Sequence, residues 1–292
     1  SEPWCLHLSY IKPHWPYIAP TPYHDMFGAQ DMLPVNRDDR EKIDPHPVYA
    51  AYMRHIESET FSRDEVREAV VPVYMGLIKQ CDDELGRLVG YLEETGRMDD
   101  TMIVLTSDHG DYLGDHWLGE KDLFHEQSVK VPLIVYDPSP EADATRGAVC
   151  DELVESIDLA ATFIEAAGGK VPGHIVEGRS LTPFLHGKEA GQWRDFVVSE
   201  YDYSATPMAV KLGVEPRDAR LFMIADKRWK FMHAEGGMRP MLFDMENDPD
   251  EYFDLGASPE HAGVVEMMYE RLAKWARRMA QRTAISDDEI CA

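Results

Sequence analysis

Apolar side chains recur at helical spacing through one long stretch of the chain and gather in short unbroken runs elsewhere. Val66, Val70, Val73, Leu77, Ile78, Cys81, Leu85, Leu88, Val89 and Leu92 return every three or four positions, which predicts a long amphipathic helix over residues 62–96. Ser62 and Glu65 have the spacing of a capping box, and Pro72 predicts an interruption or kink. Residues 102–105 and 131–136 are short apolar runs of the kind found in strands buried on both faces. Residues 4–10 read as another strand, and the four prolines of 11–22 impose an irregular loop. Short helical pieces are expected around 47–59 and 122–128. A further helix over 157–167 is opened by Ser156 and stopped by Gly168-Gly169.

Strand, helix, strand, loop, strand, helix is the grammar of an α/β domain whose mainly parallel sheet is flanked by helices. After about residue 190 the grammar changes. Short strands at 196–201, 220–226, 229–233 and 241–244, then a helix over 259–283, predict an antiparallel α+β subdomain. The expected organisation is an α/β portion, 1–190, and a C-terminal subdomain, 191–292.

Charge narrows the class of partner. With 54 acidic against 29 basic residues and a formal charge of -25, the surface repels polyanions, which excludes nucleic acid and anionic membranes. No segment approaches the roughly 18 apolar residues of a membrane span. Cys5, Cys81, Cys150 and Cys291 form no Cys-X-X-Cys pair, so a reducing, cytoplasmic setting is expected. The chain opens almost inside a strand-like run with no leader, which predicts a portion upstream of Ser1. Trp275, Arg277, Arg278 and Arg282 on the last helix fit a solvated face better than an oligomer contact.

The candidate chemistry lies at the end of the 102–105 run. Asp108 and His109 stand side by side there, where open α/β sheets bind ligands, and Gly110 allows a sharp turn that lets both side chains converge. Carboxylate oxygen with imidazole nitrogen suits one divalent cation such as Mn²⁺, Zn²⁺, Ca²⁺ or Mg²⁺. An Asx turn closing the strand accounts for the tripeptide equally well. Lys121, in a Gly-Glu-Lys-Asp loop flanked by His116 and His125, can bind phosphoryl or sulfuryl oxygens or a leaving alkoxide, although a loop lysine alone is usually solvated. His14, held among prolines, is titratable near neutrality and can deliver a proton to a departing oxygen; a ring packed between Trp15 and Tyr17 is the plainer alternative. Neither His125-Glu126 nor the acidic run 244–251 has the spacing of a zinc protease or a calcium loop.

Taken in order, Lys12-Pro13-His14-Trp15-Pro16-Tyr17, Thr106-Ser107-Asp108-His109-Gly110, Lys121, Lys130-Val131-Pro132-Leu133-Ile134-Val135 and the acidic run 242–251 resemble the sulfatase branch of the alkaline phosphatase superfamily. The wording is most similar to that of bacterial phosphonate monoester hydrolases, which also act on phosphodiesters. The resemblance implies an alkaline-phosphatase-like α/β fold with Asp108 and His109 as metal ligands, Lys121 as an oxygen-binding cation and His14 as the general acid. It also implies a formylglycine nucleophile made within Cys/Ser-X-Pro-X-Arg, yet no Cys or Ser of this chain is followed by that pattern. The nucleophile is therefore expected upstream, outside this chain, and the segment alone is expected to be inactive. The expected partners are a small anionic ester and further copies of the chain, in a homo-oligomer. A sulfuric ester hydrolase is the alternative substrate assignment, and a non-catalytic binding or assembly module keeping the fold is the alternative of another class.

Overall fold

In the first part of the chain α1 (Pro47–Met53), α2 (Ile56–Phe61) and the 31-residue α3 (Asp64–Glu94) precede β1 (Ile103–Thr106), α4 (Glu126–Val129) and β2 (Leu133–Tyr136). The computed structural model describes residues 4–277, and the chain divides into two units, Ser1–Pro138 and Ser139–Ala292. The predicted long helix is present but begins differently. Ser62 does not cap it: its hydroxyl donates to the Glu59 carbonyl at 2.8 Å and closes α2, while Arg63 occupies the N-cap without a side-chain bond. Ser62 still has helical backbone angles, φ −67° and ψ −15°, and an N-cap needs an extended residue, which here is Arg63 at φ −89° and ψ 126°. Nor does Pro72 interrupt α3, because the buried Pro72, Leu77 and Leu92 anchor the helix by tertiary packing. Gly76 is required where the turn Tyr23–Asp25 lies against α3, since a Cβ there would sit 2.0 Å from the Tyr23 carbonyl oxygen.

β1 and β2 pair antiparallel, with Ile103 opposite Tyr136 and Thr106 opposite Leu133, where the strand–helix grammar predicts parallel neighbours. The reason is the connection: between them the chain makes turns and the four-residue α4, with no helix long enough to cross a sheet face. The two strands are also not buried on both faces, and Ile134 is 61% exposed. Residues 4–10 form no strand among the described residues, and Trp4, Leu6, Leu8 and Tyr10 are exposed; an extended run becomes a strand only with a partner ladder. The core of this unit instead gathers around α1, α2 and the loop after β1, from Val48, Tyr52, Phe61, Tyr112, Leu118 and Leu123.

The second unit contains α5 (Asp158–Ala166), α6 (Thr182–Leu185), β3 (Val197–Asp202), α7 (Pro207–Leu212), β4 (Arg220–Ala225), β5 (Trp229–Ala234), β6 (Met241–Asp244) and α8 (Ala262–Ala276). Its four strands form an antiparallel sheet in the order β3-β4-β5-β6. Ile224, Phe231 and Leu242 meet Met268 and Leu272 of α8 to make the core. Trp275 packs against this cluster as well, so of the residues expected on a solvated face it is a core contact, while Arg277 is exposed. The expected extension of this helix to 283, together with Arg278, Arg282 and Cys291, lies outside the described residues. The acidic run after β6 is a structural turn: Asp244 accepts from Arg228, and the buried Glu251 pairs with the buried Lys230 at 2.8 Å. Among the described residues no helix is long and apolar enough to cross a membrane.

Candidate active site

The end of β1 is shaped by a close approach of backbone. Gly110 donates its N–H to the Ser128 carbonyl at 2.8 Å, and a Cβ on Gly110 would lie 1.8 Å from the Gln127 carbonyl oxygen. Glycine is demanded here by contact with α4. It is not demanded by a left-handed backbone, since Gly110 is not among the positive-φ residues; the chain bends at Asp108 without the special backbone angles expected of the glycine. The same short helix fixes a second element: the Ser128 hydroxyl donates to the Lys121 carbonyl. One turn of helix thus holds both the strand end and the lysine loop.

His109 Nδ1 lies 2.7 Å from the Gly110 carbonyl oxygen, so that nitrogen carries the hydrogen and Nε2 keeps its lone pair. Nε2 lies 3.4 Å from Asp108 Oδ2, so the carboxylate and the free imidazole nitrogen converge. Asp108 is 85% exposed on its side chain and His109 30%, which leaves both open to a ligand. Asp108 Oδ1 accepts the N–H of His109 at 3.1 Å, one residue along, which is not an Asx turn. The oxygen-plus-nitrogen pair fits a borderline or hard divalent cation, with a backbone carbonyl fixing the tautomer as such ligands require. Two donors are fewer than a metal cage needs, and among the described residues no group of three or more His, Cys, Asp or Glu side chains gathers. Asp108→Asn and His109→Ala are both expected to lower metal content in the purified protein that carries this chain. Elemental analysis showing full metal in both variants would remove the pair from the metal site.

His14 and Lys121, 107 residues apart, meet directly: Nε2 and Nζ are 3.0 Å from each other. The Trp15 carbonyl oxygen, 2.9 Å from His14 Nδ1, holds the hydrogen on that nitrogen, so Nε2 accepts from the lysine ammonium. The His14 and His109 ring centroids are 6.4 Å apart, edge to face, which brings the Lys-Pro-His loop and the end of β1 to one place. Half of the expected sandwich is present: the His14 ring lies 5.6 Å from that of the exposed Trp15, but Tyr17 turns its ring away to Phe61 and Tyr74 at 5.9 and 6.0 Å. His116 and His125, which flank Lys121 in sequence, are in the core. Their rings stack at 3.8 Å, with His116 Nδ1 2.6 Å from Glu41 and His125 Nδ1 3.1 Å from the Tyr112 hydroxyl.

Three residues of this region escape sequence reasoning. Tyr17 donates to Asp111 Oδ2 at 3.0 Å, and Leu113 N–H donates to the other oxygen at 3.1 Å. Burial pushes the Asp111 carboxyl up to about 6, against those two hydrogen bonds, with the nearby Glu120 charge adding to the rise. Burial, then the Asp111 charge, pushes the Tyr17 phenol well above its ordinary range, so it remains a donor. Glu120 lies 3.6 Å from the Lys121 ammonium. Leu113, His116, Trp117 and Glu120 all have positive φ, a concentration of strain in the loop that carries the lysine. The available signal was position: Tyr17 follows His14 by three residues, and Asp111 directly follows Gly110.

Comparison with known proteins gives a consistent picture. A family model described as Sulfatase matches residues 1–169, and one described as N-sulphoglucosamine sulphohydrolase, C-terminal, matches residues 114–278. The multifunctional alkaline phosphatase superfamily protein PehA of Trinickia caryophylli is 34% identical over 97% of this chain and 57% of its own length. An arylsulfatase of Clostridium perfringens is 26% identical over 94% of this chain and 53% of its own. Among solved structures, the phosphonate monoester hydrolase SpPMH from Silicibacter pomeroyi matches with a TM-score of 0.86 and 31% identity, covering 95% of this chain and 57% of that one. This chain therefore spans a little over half the length of these relatives.

Proposed function

The chain belongs to the sulfatase family, and on that premise we propose that it supplies the proton-donor and metal-binding side of an ester hydrolase whose first substrates are phosphonate monoesters and phosphate diesters. Its fold is alkaline-phosphatase-like, α/β with a C-terminal antiparallel subdomain. The observation that carries the proposal is the 3.0 Å contact of His14 with Lys121 beside the converging Asp108 and His109. To donate a proton, His14 acts with a hydrogen on both ring nitrogens: as the bond to the leaving group breaks, Nε2 passes its hydrogen to the departing oxygen and the ring returns to the neutral form that accepts from Lys121, with Nδ1–H kept on the Trp15 carbonyl. Lys121 holds the charge building on the same oxygen.

Asp108 and His109 would hold the divalent ion, which when bound polarises the ester oxygens and offsets negative charge. That offset matters here, because Glu120 lies 3.6 Å from Lys121 and Asp111 interacts with both Glu120 and His109, so negative charge already stands beside the site. With no Cys or Ser in a Cys/Ser-X-Pro-X-Arg pattern, no residue of this chain is assigned as nucleophile, and a formylglycine from outside these residues belongs to the proposal.

Phosphonate monoesters, phosphate diesters and sulfate monoesters each present one negative charge on a tetrahedral centre with one leaving oxygen, so the Lys121–His14 pair does not separate them. The order rests on the likeness to PehA and to the SpPMH structure, while likeness to an arylsulfatase favours sulfate esters as the second reading. Turnover of an aryl phosphonate monoester, an aryl phosphodiester and an aryl sulfate by the complete enzyme should rank kcat/KM in that order, with sulfate last. A clear preference for sulfate reverses the assignment.

A further inference from the structure

The loop carrying His14 is stiff within itself. Lys12 Nζ curls back onto the Pro16 and His14 carbonyls at 2.5 and 3.3 Å, His14 N–H donates to Ile11 at 3.1 Å, and Ile18 N–H donates to Pro16 at 2.8 Å. Such a loop moves as one piece, so its few outward ties decide where His14 lies. One tie is the Cys81 thiol on the Lys12 carbonyl at 3.3 Å, two residues before His14 but through a weak donor. Another is the contact of His14 itself with Lys121, which substrate oxygen must replace during turnover. Besides the edge-to-face contact of the His14 and His109 rings, a further tie is Tyr17, whose hydroxyl reaches across 94 residues to Asp111 while its ring is gripped edge-on by Phe61 and Tyr74. Asp111 is the second residue after His109, so this hydrogen bond joins the His14 loop to the segment that carries Asp108 and His109. Its other oxygen is held by Leu113 N–H, which leaves the carboxylate little freedom to follow the tyrosine.

We infer that the Tyr17–Asp111 hydrogen bond fixes the position of His14 over Lys121, making Tyr17 and Asp111 positioning residues for proton delivery to the leaving oxygen. The inference rests on the proton-donor role of His14 proposed above. Neither side chain touches the reacting atoms. Their effect is felt through where the imidazole stands, and a shift near 1 Å in a reacting group costs up to about 100-fold in rate.

The test is leaving-group dependence in the complete enzyme that carries this chain. Proton donation matters when the departing oxygen is basic and hardly at all when it is a nitrophenolate. Tyr17→Phe should therefore lower kcat about 10-fold or more on esters with an alkyl leaving group, with KM little changed, and under about 3-fold on the 4-nitrophenyl ester. Asp111→Ala should do the same from the other side, and Asp111→Asn, which keeps an acceptor oxygen for Tyr17, should recover most of the loss. Equal slowing of both esters, or of neither, overturns the tie. His14→Ala run alongside separates the two ideas: without leaving-group dependence in that variant, the proton-donor role itself fails. Histidine side-chain NMR then decides the tie independently. Tyr17→Phe must move the His14 ring signals, assigned by their loss in His14→Ala, while leaving those of His174 and His233 in place; unmoved His14 signals refute it.

Discussion

His14→Ala in the complete enzyme is expected to lower kcat by about 10²–10⁴-fold on esters with basic leaving groups, the range general acid catalysis supplies. The imidazole is part-buried, its Nδ1 hydrogen is committed to the Trp15 carbonyl at 2.9 Å, and its Nε2 faces Lys121 at 3.0 Å. Deleting it removes the group that relays a proton and leaves Lys121 with Glu120 at 3.6 Å as its nearest charged partner. The lysine then retains its electrostatic effect on the ester, so KM should change less than kcat. Steady-state kinetics on paired alkyl and nitrophenyl esters checks this: a loss confined to kcat and to the basic leaving group matches the role, whereas unchanged turnover on both removes His14 from the chemistry.

The second large effect concerns stability and belongs to the second unit. Asp158, in the first turn of α5, is fully buried and accepts from the backbone N–H of Glu155 at 2.8 Å and of Arg179 at 2.7 Å. Arg194 grips both carboxylate oxygens, one of them at 2.6 Å through NH2, and also stands 3.3 Å from Glu155. Arg194→Met should destabilise the protein by about 3–5 kcal/mol, because it leaves a buried carboxylate, with a second one beside it, without its counter-charge. Arg194→Met with Asp158→Asn should cost less than the single change, since the stranded charge is then gone. Urea unfolding followed by circular dichroism measures both. A single variant within about 1 kcal/mol of the parent would show that the two backbone N–H groups suffice to hold the carboxylate.

Much of the second unit was legible from the chain. The strands expected at 196–201, 220–226, 229–233 and 241–244 appear within a residue or two as β3 to β6, because apolar runs bounded by turn residues leave the backbone few other ways to bury them. The 226–228 turn is a local event: Asp226 Oδ1 takes the N–H groups of Arg228 and Trp229 at 2.9 and 2.7 Å. The first unit was legible in its long helix and misread at its edges. Ser62 satisfied the rule for a cap and serves a different helix, and residues 4–10 satisfied the rule for a strand without a ladder to join.

At the candidate site the sequence by itself determined which residue types stand at the end of β1 and in the Lys-Pro-His loop: a carboxylate, two imidazoles and an ammonium, with the family to which such motifs belong. Order along the chain is enough for that, since a strand end, a glycine and a proline-rich loop are properties of a few consecutive residues. Only the tertiary structure decided what meets what. That His14 touches Lys121 across 107 residues, that Gly110 is glycine to admit the Gln127 carbonyl, and that Tyr17 is bound to Asp111 depend on backbone approaches made by α3 and α4. Hydrogen bonds reach about 3 Å, and no periodicity along a chain specifies distances that small between segments that far apart.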